Sequence, residues 1–169
     1  MTSLLANQFR RLFDYEKDSH RQVLASLQTV PPDRRGSDPS LKAINLMGHL
    51  IAARCIWLHR LGASTKRPAN LFPSNISRDD LAGDLEAMER DWSEYLERLD
   101  ERELARVVTY QSFEGDWFRS RIVDILTQLY GHSLYHRGQI ASLVRVAGGE
   151  PAATDFILWS REPTAPPAQ

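Results

Sequence analysis

Four stretches of this 169-residue chain repeat apolar residues every three or four positions, and breaks rich in proline or glycine separate them. Each stretch therefore predicts a helix with one apolar stripe to bury, and helices that bury stripes against one another make a bundle. The first runs from about Ser3 to Leu27, marked by Leu5, Phe9, Leu12, Phe13, Val23, Leu24 and Leu27, and "VPPDRRGSDPS" ends it. Ser40 is the expected N-cap of the second, "LKAINLMGHLIAARCIWLHRL", and Gly62 sits where a helix C-terminus favours glycine. After "ASTKRPANLFPSNIS", Ser77 or Asn75 is placed to cap a third helix, with Asp79 and Asp80 complementing its dipole. Its stripe is Leu81, Leu85, Met88, Trp92, Tyr95 and Leu99.

The pattern then changes. In "ARVVTYQSFEGDWFRSR", β-branched and aromatic residues flank the turn signal "EGD", which predicts a short β-hairpin. A fourth helix follows over about 119–147 and stops at Gly148-Gly149. "EPAATDFILWS" is expected to cap the bundle end, and the Pro/Ala-rich residues 161–169 to form a flexible tail. The expectation is an all-α fold: a four-helix bundle with a short β-hairpin before the last helix, in a single domain over residues 1–160.

Composition removes several classes of partner. Basic and acidic residues nearly balance, 21 against 22, so the charge footprint of a nucleic-acid binder is missing. No apolar run was expected to approach the roughly 20 residues that cross a bilayer. The start, "MTSLLANQFRRLFDYEKDSHRQ", turns charged too early for a secretory signal. The single cysteine, Cys55, has no internal partner, which suits a reducing compartment; a cytoplasmic location is expected.

The fourth helix carries two histidines on its apolar stripe. His132 and His136 are four residues apart, so they differ by about 40° and lie one turn above each other. Their neighbours in spacing, Ile125, Leu129, Ile140 and Leu143, predict that both imidazoles face the interior. Two readings stand: neutral histidines hydrogen-bonded to hydroxyls or carbonyls, or a shared metal that satisfies both rings. His49 lies on an inward strip of the second helix with Asn45, Leu46, Ala52, Ala53 and Ile56, and completes a set of three. Three imidazoles with one remaining position is the arrangement of an open, catalytic-type site. Ser133 stands where a zinc protease of the H-E-x-x-H type has its glutamate, so that reading is poor. His59 is expected at a helix end or surface, His20 and Arg137 on solvated faces, and Cys55 as a core thiol. Gln139, Tyr135 and Asp124 are the sequence-near candidates to support the ring nitrogens that face away from an ion.

The segments "SLKAINLMGHLIAARCIWLHRLGA" and "VDILTQLYGHSLYHRGQIASLVRVAGGEPAATDFILW" resemble the DinB/YfiT-like family of metal-binding four-helix bundles. The first is similar to that family's helix with a metal-binding histidine followed by a tryptophan. The second is similar to its H-x-x-x-H-R-G-Q segment with a later Gly-x-Pro and an Asp before an aromatic residue. The resemblance implies that His49, His132 and His136 are metal ligands, that the cofactor is a divalent metal ion (nickel or zinc), and that the protein is a homodimer. It also implies a small thiol as a co-reactant, because wider relatives transfer or isomerise with bacillithiol, mycothiol or glutathione. "YEKDSH" in the first helix departs from the aromatic and Asn that relatives often have near the pocket.

The function expected is thus a metal-dependent enzyme of the thiol S-transferase type acting on a small-molecule substrate. A hydrolase, or a non-catalytic metal-stabilised dimer with Trp57 or Trp92 at its interface, are the alternatives.

Overall fold

The computed structural model describes residues 3–165; the first two residues and the last four of the expected tail lie outside the described residues. Helix α1 spans Leu4–Gln28, and Ser3 caps it by accepting from the Ala6 amide at 3.1 Å. After a 3-10 turn at Pro32–Arg34, α2 spans Asp38–Arg60. It begins earlier than the sequence predicts: Ser37 is the N-cap position, Pro39 occupies the first turn, and Ser40 is buried inside the helix. The Ser40 hydroxyl instead accepts from the Arg78 guanidinium at 3.1 Å. Gly62, at φ 78°, ends α2 in the left-handed conformation that glycine adopts without strain.

Helix α3, Arg78–Glu97, starts at Ser77, whose hydroxyl accepts from the Asp79 amide at 3.2 Å. Its C-terminal carbonyls are met by Arg10 of α1, whose guanidinium donates to Leu96, Glu97 and Leu99. One helical turn that the sequence pattern did not predict, α4 at Glu101–Ala105, leads into the hairpin. Strands β1 (Val107–Gln111) and β2 (Trp117–Arg121) pair antiparallel, with Val107 opposite Arg121 and Gln111 opposite Trp117. Residues 119–121 belong to β2, so the last long helix, α5, begins at Ile122 and runs to Val146. A short α6, Phe156–Ser160, follows.

The four long helices close a ring in which α1 packs on α5, α5 on α2, α2 on α3 and α3 on α1. This is the four-helix bundle, and its most extensive contact is α2 against α5, the pair that carries the histidines. Trp92 of α3 lies at its centre, wholly buried, with its indole N–H donated to the Arg54 carbonyl at 3.1 Å. It is therefore a core residue and no part of an interface. Trp57 is half-buried beneath Arg60 and edge-on to Tyr110. By length and composition α2 does qualify as a membrane span, against expectation, yet 67% of that window is buried within the protein. Its hydropathy is that of a central bundle helix.

Candidate metal centre

His49 of α2 and His132 and His136 of α5 come together at the edge of the α2–α5 seam. One ring nitrogen from each lies within 4.8 Å of the others, and the ring centroids form a near-equilateral triangle of 4.5, 4.8 and 4.9 Å. His49 and His132 approach with their Nε2 atoms 3.0 Å apart. The α5 rings do not face the interior as their spacing predicts. They are half-buried, and the inward positions on those turns belong to Ser133 and Arg137. Ile125, Leu129 and Ile140 are buried as expected, but on the two turns between them the core position lies one residue later, a rotation of about 100°.

Each outer ring is oriented. The loop between α2 and α3 folds back across α2 and presents the Leu71 carbonyl, which accepts from His49 Nδ1 at 2.7 Å. Phe72 then stacks on the His49 imidazole, with centroids 4.3 Å apart and planes 5° from parallel. Gly48 makes this seat: a Cβ there would meet the Ile76 side chain at 1.9 Å and the Pro73 ring at 3.3 Å. On α5, His136 Nδ1 donates to Gln139 Oε1 at 2.7 Å, three residues on. Both bonds fix the tautomer with the proton on Nδ1, which leaves Nε2 as the free electron-pair donor. Of the predicted supporting residues, Gln139 is in place. Tyr135 is exposed and edge-on to His136, and Asp124 pairs with Arg121 a few turns away.

Burial favours the neutral form of His49 and His132. Burial holds His49 below the ordinary imidazole value despite the Leu71 bond, and the His136 charge acts in the same direction. Burial, then its two neighbours His136 and His49, push His132 down to about 4. Neutral imidazoles are the form that binds metal. Nitrogens bound tetrahedrally at about 2.0–2.1 Å from zinc lie about 3.3 Å apart, close to the His49–His132 separation. The donor set thus fits a divalent ion, with three nitrogens and an open side.

Behind the histidines lies a buried charge network that includes His20 and Arg137, both expected on solvated faces. Glu16 of α1 and Arg54 of α2 form an ion pair with both side chains almost wholly buried. Arg137 donates to Ser133 Oγ at 3.0 Å and to the Tyr15 hydroxyl at 2.7 Å, and its Nη1 lies 3.9 Å from Glu16. The Tyr15 hydroxyl in turn donates to the Thr154 carbonyl. His20, also buried, has Nδ1 2.8 Å from a Glu89 oxygen. His59 conforms to expectation, half-buried at the end of α2, and Cys55 is half-buried with its thiol raised to about 11, chiefly by burial.

The geometry, a bundle with one histidine on α2, two on α5 and a hairpin between α4 and α5, can now be set beside known proteins. The DinB family model matches residues 2–166. The chain belongs to the DinB family. Protein DinB of Bacillus subtilis (strain 168) is 22% identical over 159 residues, which span 88% of this chain and 91% of that protein. The crystal structure of a DinB-like protein from Bacillus cereus ATCC 10987 superposes with a TM-score of 0.63 at 19% identity, covering 86% of this chain and 94% of that one. At that identity the likeness supports the fold. The DinB bundle described here, and not a likeness in name, is what supplies the site's geometry.

Proposed function

We propose that this DinB-family protein holds a divalent metal ion, nickel or zinc, on His49, His132 and His136, and is a metal-dependent enzyme acting on a small molecule with a thiol co-reactant. The observation that carries the reading is the convergence of three imidazoles, two with Nδ1 fixed by acceptors, beside a cleft of about 810 Å³ that His49 lines. That volume lies within the range of small-molecule sites. A structural metal site is normally closed by four protein ligands, whereas three leave a position for a reactant.

The ion supplies Lewis acidity that makes a thiol or water nucleophilic near neutral pH. The chain contributes the rest. His49 and His136 hold their donor atoms still through Leu71 and Gln139, and Phe72 shields one face of the His49 ring from water. In the overall transfer, a thiol loses its proton, its sulfur bonds to an electrophilic carbon, and the leaving group departs with that proton. A hydrolase would use the same site with water as the nucleophile. The homodimer implied by the family resemblance is proposed with it and is read by light scattering.

The test is elemental analysis of protein expressed in metal-supplemented medium, followed by a screen of thiols with electrophiles. One metal per chain is expected, lost in His132→Ala together with any turnover. Sub-stoichiometric metal, unaffected by His132→Ala, overturns the reading. Metal bound with no turnover, and a large loss of thermal stability on chelation, favours the non-catalytic module instead.

A further inference from the structure

The cleft beside the triad has a direction and a charge. Its α2 wall is Lys42, Asn45, Leu46 and His49, a run at helical spacing that places Lys42 about 10 Å along the groove from His49. On the α5 wall, Gly138 leaves the middle open, with Leu143 and Ser142 beyond it. Phe72 and Tyr135, both largely exposed, stand at the histidine end. Among the described residues that line the cleft no carboxylate occurs, and Lys42 is the one formal charge. Asp38 pairs with Lys42 at 2.7 Å, but both side chains are more than half exposed, so this pair contributes little and can be shared with a ligand.

We infer that the cleft binds an elongated small molecule with an apolar body and an anionic end group, the anion at Lys42 and the opposite end at the histidine triad. The inference rests on the proposed function for what happens at the triad, but the binding itself does not require a metal. A cation at that end would meet the Lys42 ammonium with only the exposed Asp38 to offset it, whereas an anion gains Lys42 as a partner.

Octane-1-sulfonate is the probe, since its chain suits the span and sulfonate is a weak metal ligand; octylamine is the control of opposite charge. Calorimetric titration of the full chain at neutral pH is expected to show the sulfonate binding about tenfold or more tighter than the amine. Lys42→Glu should reverse that order. Gly138→Leu should cut sulfonate affinity by about tenfold or more with the fold intact, because a Cβ at Gly138 meets no atom within 4 Å and leucine favours a helix. No binding by the sulfonate at millimolar concentration, equal binding of the amine, or full affinity in Gly138→Leu each overturns the inference. Titrations run on metal-loaded and chelated protein separate the two claims. Selective binding without metal uptake sinks only the metal centre, and metal uptake without selectivity sinks only this ligand class.

Discussion

Glu16→Gln removes one charge, keeps the side-chain volume, and strikes the least forgiving point in the core. The carboxylate is 2% exposed, paired with Arg54 and 3.9 Å from Arg137, so the neutral amide leaves two buried guanidiniums without a counter-charge on α1. Removing one member of a buried pair costs about 3–5 kcal/mol, a large share of the roughly 5–15 kcal/mol that holds a typical domain folded. With a urea dependence of about 2 kcal/mol per molar, the unfolding midpoint should fall by about 2 M. Acid supplies an internal control. Burial alone would raise the Glu16 pKa, but Arg54, aided by His20, holds it below the ordinary carboxylate value. A carboxyl whose folded pKa is depressed stabilises fully above its unfolded pKa, and that contribution drains away as pH falls through the folded value. The gap between wild type and Glu16→Gln should therefore be constant above the carboxylate range and narrow below it. Pairwise replacement, Glu16→Leu with Arg54→Met, should recover only part of the loss, since it removes the Arg54 charge but leaves Arg137 buried without its carboxylate. A single-variant loss under about 1 kcal/mol, or a gap that ignores pH, would refute the reasoning.

Gln139→Leu leaves the bundle standing but frees the His136 ring, so metal affinity measured by chelator competition should drop about 10–100-fold with little change in melting temperature. Equal affinity would show that Gln139 does not orient the ring. Cys55, raised to about 11 from its ordinary 9, should react with an aromatic disulfide reagent about 100-fold more slowly than a free thiol at mildly alkaline pH, and regain the ordinary rate in urea.

The long helices and hairpin were legible because period and glycine stops agree, whereas the starts of α2 and α5 and the single turn α4 were not. What failed was the placing of His20 and Arg137 on solvated faces by their type, and Glu16 and Arg54 belong to the same network. Glu16 and His20 fall on the line Phe9, Phe13, Val23 and Leu27, at spacings of three and four. Arg54 falls likewise between Ile51 and Leu58, and Arg137 between Ser133 and Ile140. On α1 and α2 the spacing puts these residues in the core although their chemistry argues for solvent; on α5 it fits His132 and His136 as well as Arg137, so spacing alone does not choose the buried row. The buried network was therefore readable only in part, as charge on core positions of α1 and α2. The Leu71 carbonyl and the Phe72 stack were not readable, because loop "LFPSN" has no period and its seat depends on Gly48 allowing a close approach.

Helix α5 thus carries two interleaved rows: His132, His136 and Gln139 at the seam, and Ser133, Arg137 and Ile140 in the core. The buried row fixes the rotation of the helix about its axis and so aims the exposed one. Arg137→Lys isolates that role, because it keeps the charge beside Glu16 and discards the planar fork. A lysine ammonium cannot take the place of two guanidinium nitrogens that reach Ser133 and Tyr15 separately. Losing one such bond to a charged group costs about 1.5–3 kcal/mol. The effect should also travel to the C-terminal segment, because the Tyr15 hydroxyl that accepts from Arg137 donates to Thr154. Amide exchange over residues 151–160 is therefore expected to quicken in Arg137→Lys more than exchange in α3. If exchange and stability both stay at the wild-type level, Arg137 acts through charge alone, and the aim of the histidines must be set by the α2 seam instead.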